Sequence, residues 1–156
     1  MSAAETDALW LSLGVAARSV AFNLPFAILV AWLLTRARFV GRTVFDAFVH
    51  LPLVLPPVVV GYLLLVLFGV RGPIGGWLND TFGIRLAFTS TGAALATAVM
   101  SFPLVVRAIR ISLENVDRGL EEAARTLGAG PFDRFLTITL PLILPGVLAG
   151  AVTAFA

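Results

Sequence analysis

Cysteine is absent from the 156 residues, and so is lysine. Without cysteine there is no disulfide, no thiolate metal site and no cysteine nucleophile. Without lysine there is no P-loop, whose lysine reaches the β/γ-phosphates of a bound nucleotide. The chain alone is therefore not a Walker-type ATPase. All eleven basic residues are arginine, and charged residues make up 13% of the chain, against roughly 25% in soluble proteins. Basic runs and aromatic stacking motifs are also missing, so the sequence pI of ≈ 10.4 reflects arginines in short loops and not a nucleic-acid surface. No catalytic triad, paired-carboxylate site or metal cluster is evident. The nine acids are expected in loops or at helix ends. No repeat, low-complexity tract or linker divides the chain, which predicts a single domain over 1–156.

Apolar residues are what is abundant. They form 59% of the chain before its 14 glycines are added, whereas a soluble domain reaches about 45–50% with glycine included. A chain of this size lacks the interior to hide so much apolar surface, so lipid is the expected solvent. Crossing the bilayer takes about 20 apolar residues. Four spans are predicted, at about 9–34, 44–69, 90–106 and 138–156. Glu5 and Asp7 stand where a cleavable signal would carry basic residues, which argues against one. Each span carries proline, and Pro56-Pro57 predicts an irregular or kinked start to the second.

Arginine placement predicts the orientation. Arg36, Arg38 and Arg42 lie between spans one and two, and Arg107, Arg110, Arg118, Arg125 and Arg134 between three and four. Only Arg71 and Arg85 lie between two and three. The richer side is the cytoplasmic one, which places the N-terminus and the 70–87 loop outside. Gly72-Pro73 and Gly75-Gly76 in that loop are turn signals. Trp77 and Phe82 suit the headgroup level.

The cytoplasmic loop, about 107–137, has a helical pattern of its own. Leu113, Val116, Leu120, Ala124 and Leu127 recur at the steps of one helical stripe. Charged residues occupy the other faces, and Glu114/Arg118 and Glu121/Arg125 are spaced as supporting pairs. Gly128, Gly130 and Pro131 predict a left-handed cap followed by a new helix. One reading is an interfacial helix on lipid. Four acids against two arginines on its polar face suit an anionic leaflet poorly and a protein partner better.

Residues 122–141 also fit E-A-A, three residues, G, nine residues, I-x-L-P, through Glu122, Ala123, Ala124, Gly128, Ile138, Leu140 and Pro141. This resembles the cytoplasmic EAA loop of permease subunits in bacterial ABC importers. With LPLVLPPVVVGYLLLVLFG (51–69) and MSFPLVVRAIRISLENVD (100–117), essentially the whole chain resembles the molybdate ABC-transporter permeases, and the sulfate permeases are similar. The resemblance implies an all-α polytopic helix bundle of the type I-like importer permease fold, in the bacterial inner membrane. It implies two copies around a central path, cytoplasmic ATP-binding-cassette subunits that supply ATP and Mg, and a periplasmic oxyanion-binding protein. This chain then needs no cofactor and is not an enzyme. Glu121, Glu122, Ala123, Ala124, Arg125, Leu127, Gly128, Ile138, Leu140 and Pro141 become the ATPase-coupling residues. Family members continue beyond Ala156 with further membrane-spanning sequence, which implies a C-terminally truncated chain. Sulfate or tungstate import remains open as the transported anion. A membrane adaptor or a secondary carrier without ATP coupling remains open as a different class.

Two candidates for the substrate path lie in the first span. Arg18 could attract a dianion or snorkel to the outer interface. Asn23 shares a face with Ser12 and Ser19, a stripe suited to interhelical hydrogen bonds. His50, the single histidine, is read as packed or interfacial, with no Cys, Asp or Glu beside it in a metal-ligand spacing.

Overall fold

The computed structural model describes residues 3–155, so Ala156, the end of the fourth predicted span, lies outside the described residues. The first span is one helix, α1 (Ala3–Arg36), about 50 Å long by helical rise. Its buried stripe is Ser19, Asn23, Ala27, Ala31 and Leu34, none more than 2% exposed. Steps of three and four put these largely small side chains on one face, so a neighbouring helix can approach closely.

That neighbour is α5 (Ser90–Asn115), which packs along both α1 and the last helix. Thr89 caps its start, the hydroxyl accepting from Gly92 N at 3.1 Å. α5 runs nine residues past the predicted end of the third span. Val105, Val106, Ile109 and Leu113 on it are fully buried and form the centre of the core. The last helix, α8 (Leu140–Phe155), lays Ile143, Gly146, Gly150 and Ala154 against α5. A Cβ on Gly146 would stand 2.8 Å from Ala108 O, and one on Gly150 would stand 3.0 Å from Val105 Cγ1. Glycine is required where the two backbones come this close.

Residues 44–69, expected as one span, form two helices: α2 (Arg42–Val54) and α3 (Pro57–Phe68). The chain bends by 110° between them. Leu55 and Pro56 each precede a proline and are extended, with ψ of 141° and 139°, as the proline ring demands of the residue before it. The 70–87 loop, read as turns, contains a short helix, α4 (Pro73–Phe82). Its Trp77 and Phe82 are exposed and stack edge to face at 5.7 Å.

Glu5–Arg36, Ser90–Asn115 and Pro131–Phe155 are long and apolar enough to cross a bilayer, and the bent pair adds a fourth candidate. Only 17% to 33% of the most apolar window in each of the three is buried by protein. Trp10, Phe22, Leu29, Phe48, Val58 and Val152 face outward. An apolar exterior on this scale requires an apolar solvent.

Candidate docking helix and its anchorage

The predicted helix over 113–127 is interrupted. α5 ends at Asn115, Val116 is extended, and a separate helix, α6 (Arg118–Thr126), begins after Asp117. Asp117 is the reason: its Oδ1 accepts from Gly119 N at 2.8 Å and caps the new helix. The apolar stripe is split accordingly. Leu113 and Val116 enter the core, at 0% and 7% exposure. Leu120 and Leu127 stay outside, at 48% and 87%.

At about 100° per residue, Leu120, Ala123, Ala124 and Leu127 share one face of α6, while Arg118, Glu121, Glu122 and Arg125 share the opposite one. Glu121 on the charged face turns toward the body of the protein, while Arg118, Glu122 and Arg125 are exposed and line an open cavity with Arg36, Arg134, Phe135 and Thr139. The leucines point away. This inverts the usual arrangement of a surface helix, which hides its apolar stripe.

α6 ends in a Schellman motif. Gly128 is left-handed, with φ of 86°. Its N–H donates to Arg125 O at 3.1 Å, and the Ala129 N–H donates to Ala124 O at 3.0 Å. Pro131 then opens α7 (Pro131–Arg134), and Phe135–Thr139 continues as a π-helical turn into α8. Pro141 accounts for the widened turn: it has no N–H for Thr137 O, and its ring crowds that carbonyl.

The anchorage of α6 is one carboxylate oxygen. Glu121 Oε1 accepts from Arg36 Nη2 at 3.1 Å and from Thr139 Oγ1 at 2.8 Å. Arg36 closes α1, and Thr139 ends the π turn. One oxygen thus joins α6 to two long helices. The expected Glu121/Arg125 and Glu114/Arg118 pairs do not form. Glu121 takes Arg36 instead, and Glu114 takes Arg110 at 3.1 Å. Among the other motif residues, Glu122, Ala123, Arg125 and Pro141 are exposed, whereas Ala124, Ile138 and Leu140 are half-buried. Ile138 and Leu140 flank Thr139, so the motif's two ends meet through Glu121 and Thr139. Arg36 and Thr139 were not singled out from sequence; Arg36 was read only as a positive-inside residue.

A second polar cluster escaped the sequence reading. Arg110 Nη1 also holds Asp46 Oδ2 at 3.1 Å, tying α2 to α5. Asp46 lies within α2, one turn before His50, whose Nδ1 is 2.9 Å from Asp46 O and 3.2 Å from Asp46 Oδ1. His50 therefore does have an acid beside it, and Asp46 is neither in a loop nor at a helix end. The i, i+4 spacing was the available signal.

Arg18 Nη1 donates to Ser90 Oγ at 3.2 Å, level with the first residue of α5 and so at the end of the span. Asn23 Nδ2 donates to Ala98 O at 3.0 Å and to Ser101 Oγ at 2.9 Å. Its amide nitrogen is committed to the α1–α5 contact.

Residues 23–156 match the family described as "binding-protein-dependent transport system inner membrane component". The chain is similar to the molybdenum transport system permease protein ModB of Escherichia coli K12, with 62% identity over 152 residues. To ModB of Haemophilus influenzae the identity is 58% over 152 residues. Each of these alignments covers 97% of this chain and 66% of the relative, so the chain spans just under two thirds of their length. The sulfate transport system permease protein CysT of Escherichia coli K12 is 44% identical over 134 residues, covering 86% of this chain and 48% of that protein. With its apolar, outward-facing helices and a family match over most of its length, the chain belongs to the inner-membrane components of binding-protein-dependent transport systems.

Proposed function

We propose that this chain is a permease subunit of an ATP-binding-cassette importer that carries molybdate into the cell, and that α6 is the surface its cytoplasmic ATPase docks on. The observation that carries the docking role is the exposed apolar stripe of α6, with Leu120 48% and Leu127 87% exposed while Glu121 on the opposite face is tied to the body of the protein. An apolar stripe aimed at water invites a complementary groove. The Glu121 anchorage gives the groove something to push against, because a force on α6 reaches α1 and α8 through Arg36 and Thr139.

Orientation follows from arginine. The Arg36–Glu121 and Arg110–Asp46 pairs bring the two arginine-rich loops to one end of the bundle, which supports a cytoplasmic assignment for that end. ATP and Mg then belong to the ATPase, a periplasmic binding protein delivers the anion, and two copies of the permease enclose the path. Alternating access is the rocking of these spans as the docked helices move. The residues named above as coupling residues divide under this reading. Ala123, Ala124 and Leu127 make the contact, joined by Leu120, which was not among them; Glu121 anchors it, Glu122 and Arg125 lie on the opposite face, and Gly128 with Ile138, Leu140 and Pro141 shapes the return to the membrane.

Molybdate is favoured over sulfate by the 62% and 58% identities to molybdenum permeases against 44% to a sulfate permease. The test is ATP hydrolysis in liposomes by the full-length permease with its ATPase, exposed to binding protein loaded with molybdate or with sulfate. Stimulation by the molybdate-loaded protein is expected. Stimulation by the sulfate-loaded form alone would replace the substrate and keep the architecture. Silence toward both, in an assembled complex, would overturn the importer reading.

A further inference from the structure

The charged face of α6 lines an open cavity of ≈ 270 Å³ with α1, α7 and the π turn. Four arginines line it, Arg36, Arg118, Arg125 and Arg134, against only Glu121 and Glu122. Glu121 is already occupied by Arg36 and Thr139. Arg118 and Arg125 make no ion pair among the described residues. Arg36 keeps a buried Nε–H without a partner. The cavity therefore holds a net excess of positive charge and several unused donors.

It does not stand alone. A second, apolar cavity of ≈ 410 Å³ adjoins it and shares Trp32, Pro131 and Phe135 with it. This one runs beside α1 from Ile28 to Trp32 and is otherwise walled by Leu29 and Phe132. From Ile28 to Arg36 the α1 surface covers about 12 Å, apolar at one end and cationic at the other. Leu29, Trp32 and Phe132 are exposed. A tryptophan at the change from apolar to charged lining is the arrangement of a membrane–water boundary.

We propose that these two cavities together bind one anionic phospholipid. Arg118, Arg125 and Arg134 hold its phosphate headgroup, and an acyl chain lies along Leu29, Trp32 and Phe135. Charge selects the occupant: a zwitterionic lipid brings no net charge to meet the excess, and a soluble anion leaves the apolar flank uncovered. Basic pockets between membrane helices take anionic headgroups for the same reason. The site is compatible with docking, because a partner on Leu120 and Leu127 covers the opposite face of α6. Its assignment to the cytoplasmic leaflet rests on the orientation proposed above.

The experiment is a lipid titration of the full-length permease–ATPase complex, delipidated in mild detergent and read by native mass spectrometry. Phosphatidylglycerol is compared with phosphatidylcholine of identical chains. Each unit of positive charge near an anionic headgroup is worth about fivefold in affinity, so a net excess of two predicts about a 25-fold preference for phosphatidylglycerol. Arg118→Gln and Arg125→Gln each reduce that preference about fivefold and leave phosphatidylcholine binding unchanged. Trp32→Ser weakens both lipids. Inorganic phosphate at millimolar concentration does not displace the lipid. The same spectra report whether each variant is assembled. Arg134→Gln, on α7, makes the same test if an α6 variant loses its ATPase. Equal binding of the two lipids, an unchanged preference in the assembled arginine variants, or displacement by inorganic phosphate would each overturn the site. Neither molybdate nor ATP turnover enters this titration, so its failure and a failure of the importer reading are separate results.

Discussion

Replacing Glu121 by alanine tests the anchorage of α6 directly. The side chain accepts two hydrogen bonds on one oxygen, at 3.1 Å from Arg36 and 2.8 Å from Thr139. Both bonds end on an ionised carboxylate, and such a charge-assisted bond contributes about 1.5–3 kcal/mol. The Arg36 and Glu121 side chains are 11% and 21% exposed, so water screens the ion pair only in part. Removing the carboxylate also strands the Arg36 guanidinium, whose Nε is already unpaired. Together these give a loss of about 2–3 kcal/mol in the attachment of α6. The population of detached α6 then rises by about 30- to 150-fold. Hydrogen exchange in the assembled complex reads this amide by amide. Amides of 119–126 should exchange faster in Glu121→Ala by that factor, while those of α5 between 98 and 109 keep their rates. Thr139→Val, which removes one of the two bonds, should give a smaller acceleration, about tenfold, and almost none when added to Glu121→Ala, because the bond is already gone. Unchanged exchange in α6 of the Glu121→Ala protein would refute the reasoning, and so would fully additive effects of the two variants.

Three further outcomes follow from the packing. Leu127→Glu should leave the thermal stability of the isolated permease within about 0.5 kcal/mol, as exposed positions do, yet prevent co-purification of the ATPase. Gly146→Leu should reduce the yield of folded permease on size exclusion and destabilise it by about 1–3 kcal/mol or more, since its Cβ meets Ala108 O at 2.8 Å between two packed helices. Asn23→Leu should lower the melting temperature through loss of about 0.6–2 kcal/mol of interhelical bonding, with molybdate-over-sulfate selectivity unchanged. A selectivity change in that variant would return Asn23 to the substrate path.

The bundle was legible where physics is local. Apolar runs marked the long helices, Pro56-Pro57 marked the break before α3, and Gly128 announced its left-handed cap. The failures are where local pattern and tertiary contact disagree. Steps of three and four run unbroken from Leu113 to Leu127, so periodicity alone predicted one helix. The Asp117 cap and the burial of Val116 divide it. Periodicity also identifies the faces of α6 without saying which one turns outward; that is set by Arg36, 85 residues away from Glu121 in sequence. Arg36 looked like any other loop arginine. Asp46 and His50 carried a readable i, i+4 spacing, but their partner Arg110 comes from α5, 64 residues from Asp46, and nothing in the sequence pairs them.

These 156 residues hold no cysteine, so a cysteine placed on α6 is the only one within them. Single cysteines are placed on α6 of the full-length permease, and cross-linking to the assembled ATPase is followed with a short bifunctional reagent. Leu120→Cys and Leu127→Cys should cross-link efficiently, and Arg118→Cys and Arg125→Cys on the opposite face should not. Cross-linking from the arginine positions with silence from the leucines would contradict the account at its centre, since α6 would then meet its partner through the face that Glu121 ties to the body of the protein.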